Sequence, residues 1–324
     1  MTRTPILVLG AGGFVGRHVL AGLHAADWAA PVAATRSGDL PRGAPPVPSV
    51  RLDLRDSGAL RASLDRVQGV VDCTAGGPAA MRACAASLRT AMQAMEHPPR
   101  LVYLSSMAVY GDAEGLVGED TPLDTAAGAD SYGGAKVLAE GLLRDLPQTV
   151  ILRPGCIYGP DSPQWSLRIA RLLRSRRIGD LGEGGDGCCN AVLVGDVVQA
   201  VLAALRTPGA AGQAFNLSLP EPPTWNGYLL DFARALGAVP VHRIGARRLK
   251  IETRLLAPAL KIAEIAASKA GLRHIAVPPP IPPSLARLWR QEIRLDVTRA
   301  ERHLGIVWTP LIEGLQTTVQ RMVI

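Results

Sequence analysis

Aromatic side chains are scarce, with five Trp, five Tyr and three Phe making up 4% of the 324 residues. The core must therefore be filled mainly by Ala, Leu and Val. The same scarcity argues against a nucleic-acid partner, because no aromatic platform interleaves with the basic residues as base stacking requires. The formal charge is +7, but the cations are scattered apart from short runs such as Arg174–Arg176–Arg177 and Arg247–Arg248–Lys250. A modest excess of Arg suits the attraction of an anionic cofactor.

Long apolar runs are also missing. No stretch of about 18 residues is free of charge, so no membrane span is expected. Even the apolar Leu255–Ala267 is interrupted by Lys261 and Glu264. The N-terminus leads from Met-Thr-Arg-Thr-Pro straight into an apolar run, without the pattern of a signal peptide. The five cysteines (Cys73, Cys84, Cys156, Cys188 and Cys189) have neither metal-site spacing nor a plausible disulfide framework. Reduced thiols in a cytoplasmic protein are expected, with no metal site. With 48% hydrophobic and 19% charged residues, the composition is that of a globular protein rather than a disordered one.

What is present is alternation. Ile6–Leu9, Val32–Thr35, Val50–Leu52, Val70–Cys73, Leu101–Ser105 and Val150–Arg153 read as buried strands. Between most of them lie stretches of helical spacing such as Ala79–Met95 and Tyr132–Leu146. This pattern predicts an α/β fold, a Rossmann-type doubly wound parallel sheet. Beyond about residue 160 the regularity fades. Gly179–Gly187 has five glycines in nine residues and reads as a loop, Asn190–Val194 and Ala214–Leu217 as strands, and Asp196–Leu205 as a helix. The expected organisation is a nucleotide-binding domain over 1–160 plus 190–217. A smaller, mostly helical substrate lobe covers 161–189 plus 218–324.

Leu7-Val8-Leu9-Gly10-Ala11-Gly12-Gly13-Phe14-Val15-Gly16 is a strand, a glycine turn and a helix start. Gly10 permits the tight turn, Gly13 lets the backbone approach a pyrophosphate, and Gly16 lets the helix pack closely on the sheet. The second strand ends at Thr35-Arg36-Ser37. An acid there would hold a ribose 2′-hydroxyl, whereas the Arg36 fork suits a 2′-phosphate. NADP is the expected cofactor, and Asp39 keeps NAD open. Asp53-Leu54, after the third strand, offers an acceptor for an adenine amino group, although Asp53 could equally cap the next helix. Ala75-Gly76 supplies small residues where a ribose and phosphates must pass.

Tyr132-Gly133-Gly134-Ala135-Lys136 sets a phenol and an ammonium one turn apart on a helix that Asp130 or Ser131 would cap. Such a pair is often no more than two surface neighbours. Behind a phosphate loop it also suits hydride chemistry at a carbon bearing oxygen, since the phenol can move a proton once a cation lowers its pKa from about 10. A hydroxyl from Ser105-Ser106 would orient the reacting oxygen.

Taken together, Gly10–Gly16, Asp53-Leu54, Tyr103–Gly111, Tyr132–Lys136 and Leu152–Pro160 resemble the extended short-chain dehydrogenases, the NAD-dependent epimerase/dehydratase family. The resemblance implies Ser106, rather than Ser105, as the hydroxyl partner, and Pro154 and Ile157 against the nicotinamide. Sugar-nucleotide dehydratases of the family carry Asp-Glu where this chain has Met107-Ala108, which argues against water elimination. A His-Val-Asp-Asp segment of many relatives reads Leu193-Val194-Gly195-Asp196 here. The Leu249–Gly271 helix, the Pro278–Pro283 stretch and Leu295–Ala300 look more like the branch of 3β-hydroxysteroid dehydrogenases and dihydroflavonol reductases. These features together imply an NAD(P)-dependent oxidoreductase acting on a hydroxyl or carbonyl of a mostly apolar small molecule. A nucleotide-sugar epimerase with tightly held NAD and a non-catalytic nucleotide sensor stay open. A homodimer is likewise left open.

Overall fold

The computed structural model describes residues 3–40, 43–269 and 278–322. In chain order the elements begin with β1 (Thr4–Leu9), α1 (Phe14–Ala25), β2 (Ala29–Thr35), β3 (Ser49–Arg51), α2 (Ser57–Leu64) and β4 (Gly69–Asp72). Next come α3 (Pro78–Gln93), β5 (Arg100–Leu104), β6 (Gly115–Val117), α4 (Tyr132–Leu143), β7 (Thr149–Pro154) and β8 (Cys156–Tyr158). They continue as α5 (Arg168–Arg174), β9 (Ala191–Leu193), α6 (Val194–Arg206), β10 (Ala214–Leu217), α7 (Trp225–Ala235) and α8 (Ala246–Ile251). The last are α9 (Ala257–Lys269), α10 (Pro283–Leu288), β11 (Ile293–Leu295), α11 (Thr298–Leu304) and α12 (Leu311–Arg321).

Seven strands form one parallel sheet in the order β10-β7-β5-β4-β1-β2-β3. The chain runs outward from β1 through β3, then returns to the other side of β1 with β4. That reversal leaves a crevice at the carboxyl ends of β1 and β4, the place where open α/β sheets bind ligands. Helices cover both faces, which is why the strands read as continuous apolar runs.

On one face Val19, Leu20 and Leu23 of α1 and Val197, Ala200, Val201 and Ala204 of α6 pack against Val8, Val71, Val102 and Val150 of the sheet. On the other face α2, α3 and α4 contribute Leu60, Leu64, Leu88, Met92 and Leu143. Ala300, Leu304 and Ile306, from the far end of the chain, belong to the α1/α6 core. A separate cluster around Tyr158, Ile169, Leu172, Trp225, Phe232 and Trp289 forms the core of the remaining helices.

The differences from the sequence reading lie at element ends and in short strands. Leu52, Cys73 and Ser105 fall just beyond their strands. β8 pairs with β9, and β6 with β11, as two small parallel sheets. With three residues a side, the second of these has too short an alternation for periodicity to reveal. The helix read as Leu249–Gly271 is α8, a π-helical turn at Glu252–Leu256 and α9; residues 270 and 271 lie outside the described residues. The π-turn ends two residues before Pro258, which has no N–H to give to the α-helical ladder.

Leu20 is fully buried between α1 and the sheet. Leu20→Ala is expected to cost about 2–5 kcal/mol of folding stability. Urea unfolding followed by circular dichroism measures it, and a loss below about 1 kcal/mol would mean that α1 is loosely packed.

Candidate active site at the carboxyl edge of the sheet

The turn after β1 is shaped by glycine where side chains cannot go. Gly10 has φ +70°, and a Cβ on it would lie 2.8 Å from the Cys73 carbonyl oxygen. A Cβ on Gly16 would lie 2.2 Å from the Gly10 oxygen, so α1 rests directly on the turn. A Cβ on Gly12 would meet nothing within 4 Å, so this glycine faces open space.

The capping of the helices around the crevice differs in a telling way. α2 is capped by Asp56 and α4 by Ser131, whose side chains accept from the Ala59 and Gly134 N–H groups. α1 and α3 instead begin at Gly13 and Gly77 with no side-chain cap, and Gly77 also faces open space. Free N–H groups and the positive end of a helix dipole are what an anion needs. The residues at this edge therefore fit a pyrophosphate, with Gly13, Phe14 and Val15 opening α1 and exposed Ala75 and Gly76 opposite, ahead of α3. Arg17, the next residue but one along α1, makes a 3.4 Å ion pair with Asp161, tying the loop after β8 to this helix.

Arg36 is exposed one residue beyond the end of β2. Asp53 does not cap α2, a role that falls to Asp56; its carboxylate is 2.6 Å from the Arg55 guanidinium. Hydrogen bonds from Arg55 hold the Asp53 pKa down to about 2, with Arg36 adding to the effect. Leu54 beside it is buried.

Tyr132 opens α4, and Ser106 caps the 3₁₀ turn Met107–Tyr110 after β5, accepting from the Ala108 N–H at 3.2 Å. The starts of these two elements abut, since a Cβ on Gly133 would lie 2.6 Å from the Ala108 carbonyl oxygen, which brings Tyr132 close to Ser106. Half of the Tyr132 surface is open, but burial around its hydroxyl raises the pKa, while Ser106 pulls it down. Lys136 is buried, and its Nζ donates to the Leu104 carbonyl at 2.6 Å and to the Tyr103 hydroxyl at 3.3 Å. It also lies 4.7 Å from the centre of the Tyr103 ring. Burial lowers the Lys136 pKa, and the carboxylates of Asp72 and Glu140 counter it. The ammonium is thus held by acceptors on β5.

Ser105 and Ser106 have different partners, and only Ser106 caps the turn. Ser105 donates to Glu140 Oε1 at 2.5 Å, beneath the site. Glu140 in turn receives Arg153 Nε and Nη2, the latter at 2.6 Å, and both side chains are almost wholly buried. Arg153 continues to the Tyr110 hydroxyl at 2.9 Å and the Glu119 carbonyl at 3.0 Å. Burial disfavours the Arg153 charge, but its bonds to Glu140 outweigh burial and raise its pKa. The sequence analysis passed over Glu140 and this use of Arg153. The signal was there, since Tyr132, Lys136 and Glu140 recur at four-residue intervals along one helix face, and a lone Arg interrupts an apolar strand. Pro154 ends β7 buried, and Ile157 is half-buried in β8.

A parallel sheet with a glycine loop at its switch point, and a Ser-Tyr-Lys group on the next strand and helix, defines the extended short-chain dehydrogenase/reductase class. The chain belongs to the NAD-dependent epimerase/dehydratase family, whose sequence model matches residues 6–218. Protein YeeZ of Escherichia coli (strain K12) is 33% identical over 144 residues, 44% of this chain; the chain spans about half (48%) of the length of that relative. Among solved structures, the fold is similar to that of UDP-glucuronic acid 4-epimerase from Bacillus cereus in complex with NAD. The TM-score is 0.69 at 18% identity, covering 98% of this chain and 96% of that one. It is equally similar to dTDP-glucose 4,6-dehydratase from Bacillus anthracis str. Ames in complex with NAD. There the TM-score is 0.71 at 18% identity, again covering 98% and 96%. No helix among the described residues is long and apolar enough to cross a membrane.

Replacing Glu140 by Leu leaves the buried Arg153 charge uncompensated, and a stability loss of about 3–5 kcal/mol is expected. The double variant Glu140→Leu/Arg153→Met should recover most of it. Denaturant titration of the single and double variants checks the pair, and equal losses in both would show that the ion pair is not what Glu140 contributes.

Proposed function

We propose that the protein is an NAD(P)-dependent oxidoreductase acting on a hydroxyl or carbonyl of a mostly apolar small molecule. The observation that carries this reading is the abutment of the turn begun by Ser106 with the start of α4 at Tyr132, one helical turn from buried Lys136, at the edge where α1 and α3 leave their N-termini open. When bound, the nicotinamide supplies or accepts the hydride. Gly10, Gly13, Phe14, Val15 and Gly16 hold the pyrophosphate on backbone N–H groups, with Ala75 and Gly76 giving it room. Asp53 and Leu54 flank the adenine, Pro154 and Ile157 flank the nicotinamide, and Lys136 holds its ribose. Ser106 orients the substrate oxygen, and Tyr132 moves the proton on it.

The raised Tyr132 pKa supports a phenol that stays protonated at neutral pH and acts as the acid in carbonyl reduction. Oxidation in the reverse direction needs the phenolate. For the free enzyme, kcat/KM for reduction should hold level from about pH 6 to 9, while that for oxidation climbs across the same range. A reduction rate that falls through neutrality would remove the phenol as the acid. Tyr132→Phe should lower turnover by about 10²–10⁴ and leave cofactor affinity nearly unchanged. Stopped-flow turnover alongside cofactor titration reads both quantities, and a variant with most of its activity would take Tyr132 out of the mechanism.

NADP(H) is the cofactor we propose, because the residue beyond β2 is an exposed Arg and the nearby Asp53 is already held by Arg55. Losing the Arg36 contact to a 2′-phosphate should weaken NADP(H) by about 1.5–3 kcal/mol in Arg36→Ala. NAD(H) affinity should stay as it is. Fluorescence titration of both cofactors decides the matter, and tighter NAD(H) binding by the parent chain would reverse the assignment.

A second reading, a nucleotide-sugar epimerase, is favoured by the likeness to the Bacillus cereus epimerase along 98% of the chain. Against it, the arginines that a diphosphate would call on are engaged or turned outward. Arg168 bonds the Pro280 carbonyl and Arg177 bonds Glu252, while Arg171 and Arg174 are exposed. Thermal stabilisation by UDP-sugars beside steroids, flavonoids and long-chain ketones separates the two readings.

A further inference from the structure

The helical segment 246–262 is amphipathic in the wrong sense for a helix that faces only water. Its inner face buries Leu249, Glu252, Thr253 and Ala257. The two polar groups there are satisfied, Glu252 by Arg177 at 2.5 Å and Thr253 by the Leu249 carbonyl at 2.9 Å. The outer face carries the large apolar side chains instead. Ile251 is 50% exposed, Leu255 68%, Leu256 43% and Ile262 69%. Four of the ten large hydrophobic residues that stand exposed on the described surface thus fall within twelve residues of one helical run. Clustered apolar exposure of this kind marks a contact surface rather than ordinary scatter.

Between residues 243 and 262 the exposed charges have one sign, and Glu264 follows two residues beyond Ile262. Arg247, Arg248, Lys250 and Arg254 are all exposed beside this stripe. Arg176 adjoins them from the end of α5, its carbonyl accepting from Arg248 at 3.0 Å. Glu252 is the only acid between residues 243 and 262, and it is buried. No acid among the described residues pairs with Arg247, Lys250 or Arg254.

We infer that the outer face of residues 246–262 docks the protein on an anionic lipid surface. Apolar side chains flanked by cations match the boundary of such a bilayer, where acyl chains lie beneath negative headgroups. The run is too short and too charged to span the bilayer, so it lies in the plane of the interface with Ile251, Leu255 and Ile262 inserted. A second copy of this chain is disfavoured as the occupant, because a two-fold axis through the stripe would set the same cations against one another. The inference rests on the lobe's surface alone and stands apart from the reading of the active site.

Sedimentation of the full chain with phosphatidylcholine vesicles, with and without about 30% phosphatidylglycerol, tests it. The expected result is binding to the anionic vesicles alone, released as salt is raised to about 0.5 M. Arg247→Glu/Lys250→Glu/Arg254→Glu should weaken that binding by at least about fivefold per cation removed. Ile251→Ser/Leu255→Ser/Ile262→Ser should lower it by at least about tenfold at unchanged charge. Thermal unfolding confirms that each variant is folded, and the vesicle and salt series on the parent chain need no variant. Equal binding to both vesicle types, or to neither, overturns the inference. Self-association in sedimentation velocity, abolished by the serine variant while vesicles are ignored, would assign the surface to a second copy.

Discussion

Two cations are buried beneath the carboxyl edge of the sheet, and burying an ionised group is tolerated only where acceptors replace its water. Arg153 meets this condition through Glu140, Tyr110 and the Glu119 carbonyl, and Lys136 through the Leu104 carbonyl and the Tyr103 hydroxyl. These partners come from α4, β5, β7 and the segments between them. The compensation therefore fixes α4 against the sheet at the height where its first turn abuts the turn begun by Ser106. Ser105 is drawn down to Glu140, which leaves Ser106 as the hydroxyl at the surface of the site. A chain of hydrogen bonds that serves charge balance below the edge sets the positions of the groups above it.

The same edge is arranged around absence on its other side. Where β1 turns into α1, atoms have been removed rather than added, since any side chain on Gly10 or Gly16 would strike backbone. The result is a helix start pressed against the turn, with its amide groups uncapped. α3 opens in the same way across the crevice. The switch in strand order places these two open helix ends side by side, so the anion-binding capacity of the fold follows from topology and glycine together.

The helical C-terminal part follows a different logic. Its core includes Trp225, Trp289, Tyr228 and Phe232, all almost wholly buried among aliphatic side chains. Much of the apolar character that the sequence shows there is thus ordinary packing. The apolar residues left outside are concentrated on one helical run amid cations. Composition alone cannot distinguish these two populations, because a Leu in the core and a Leu on the surface look the same in a sequence.

The sequence by itself determined the sheet, the glycine turn and the Tyr132–Lys136 spacing. Each of these is a local pattern, namely continuous apolar runs, a backbone that excludes Cβ atoms, or two residues one turn apart. What only the tertiary structure decided involves partners far apart in the chain. Ser105 and Ser106 are neighbours with identical side chains; the family resemblance favours Ser106, but that Glu140, 35 residues away, takes the Ser105 hydroxyl is visible only in the fold. Arg153 reads as the end of a strand until Glu140 and Tyr110 converge on it. Lys136, expected to act on the phenol, is held by acceptors on β5 that no helical spacing reveals. β6 and β11 find each other across more than 170 residues with three residues apiece, too little alternation to register. Local patterns are written by the backbone's own periodicity, whereas the pairing of buried charges depends on which distant segments packing brings together.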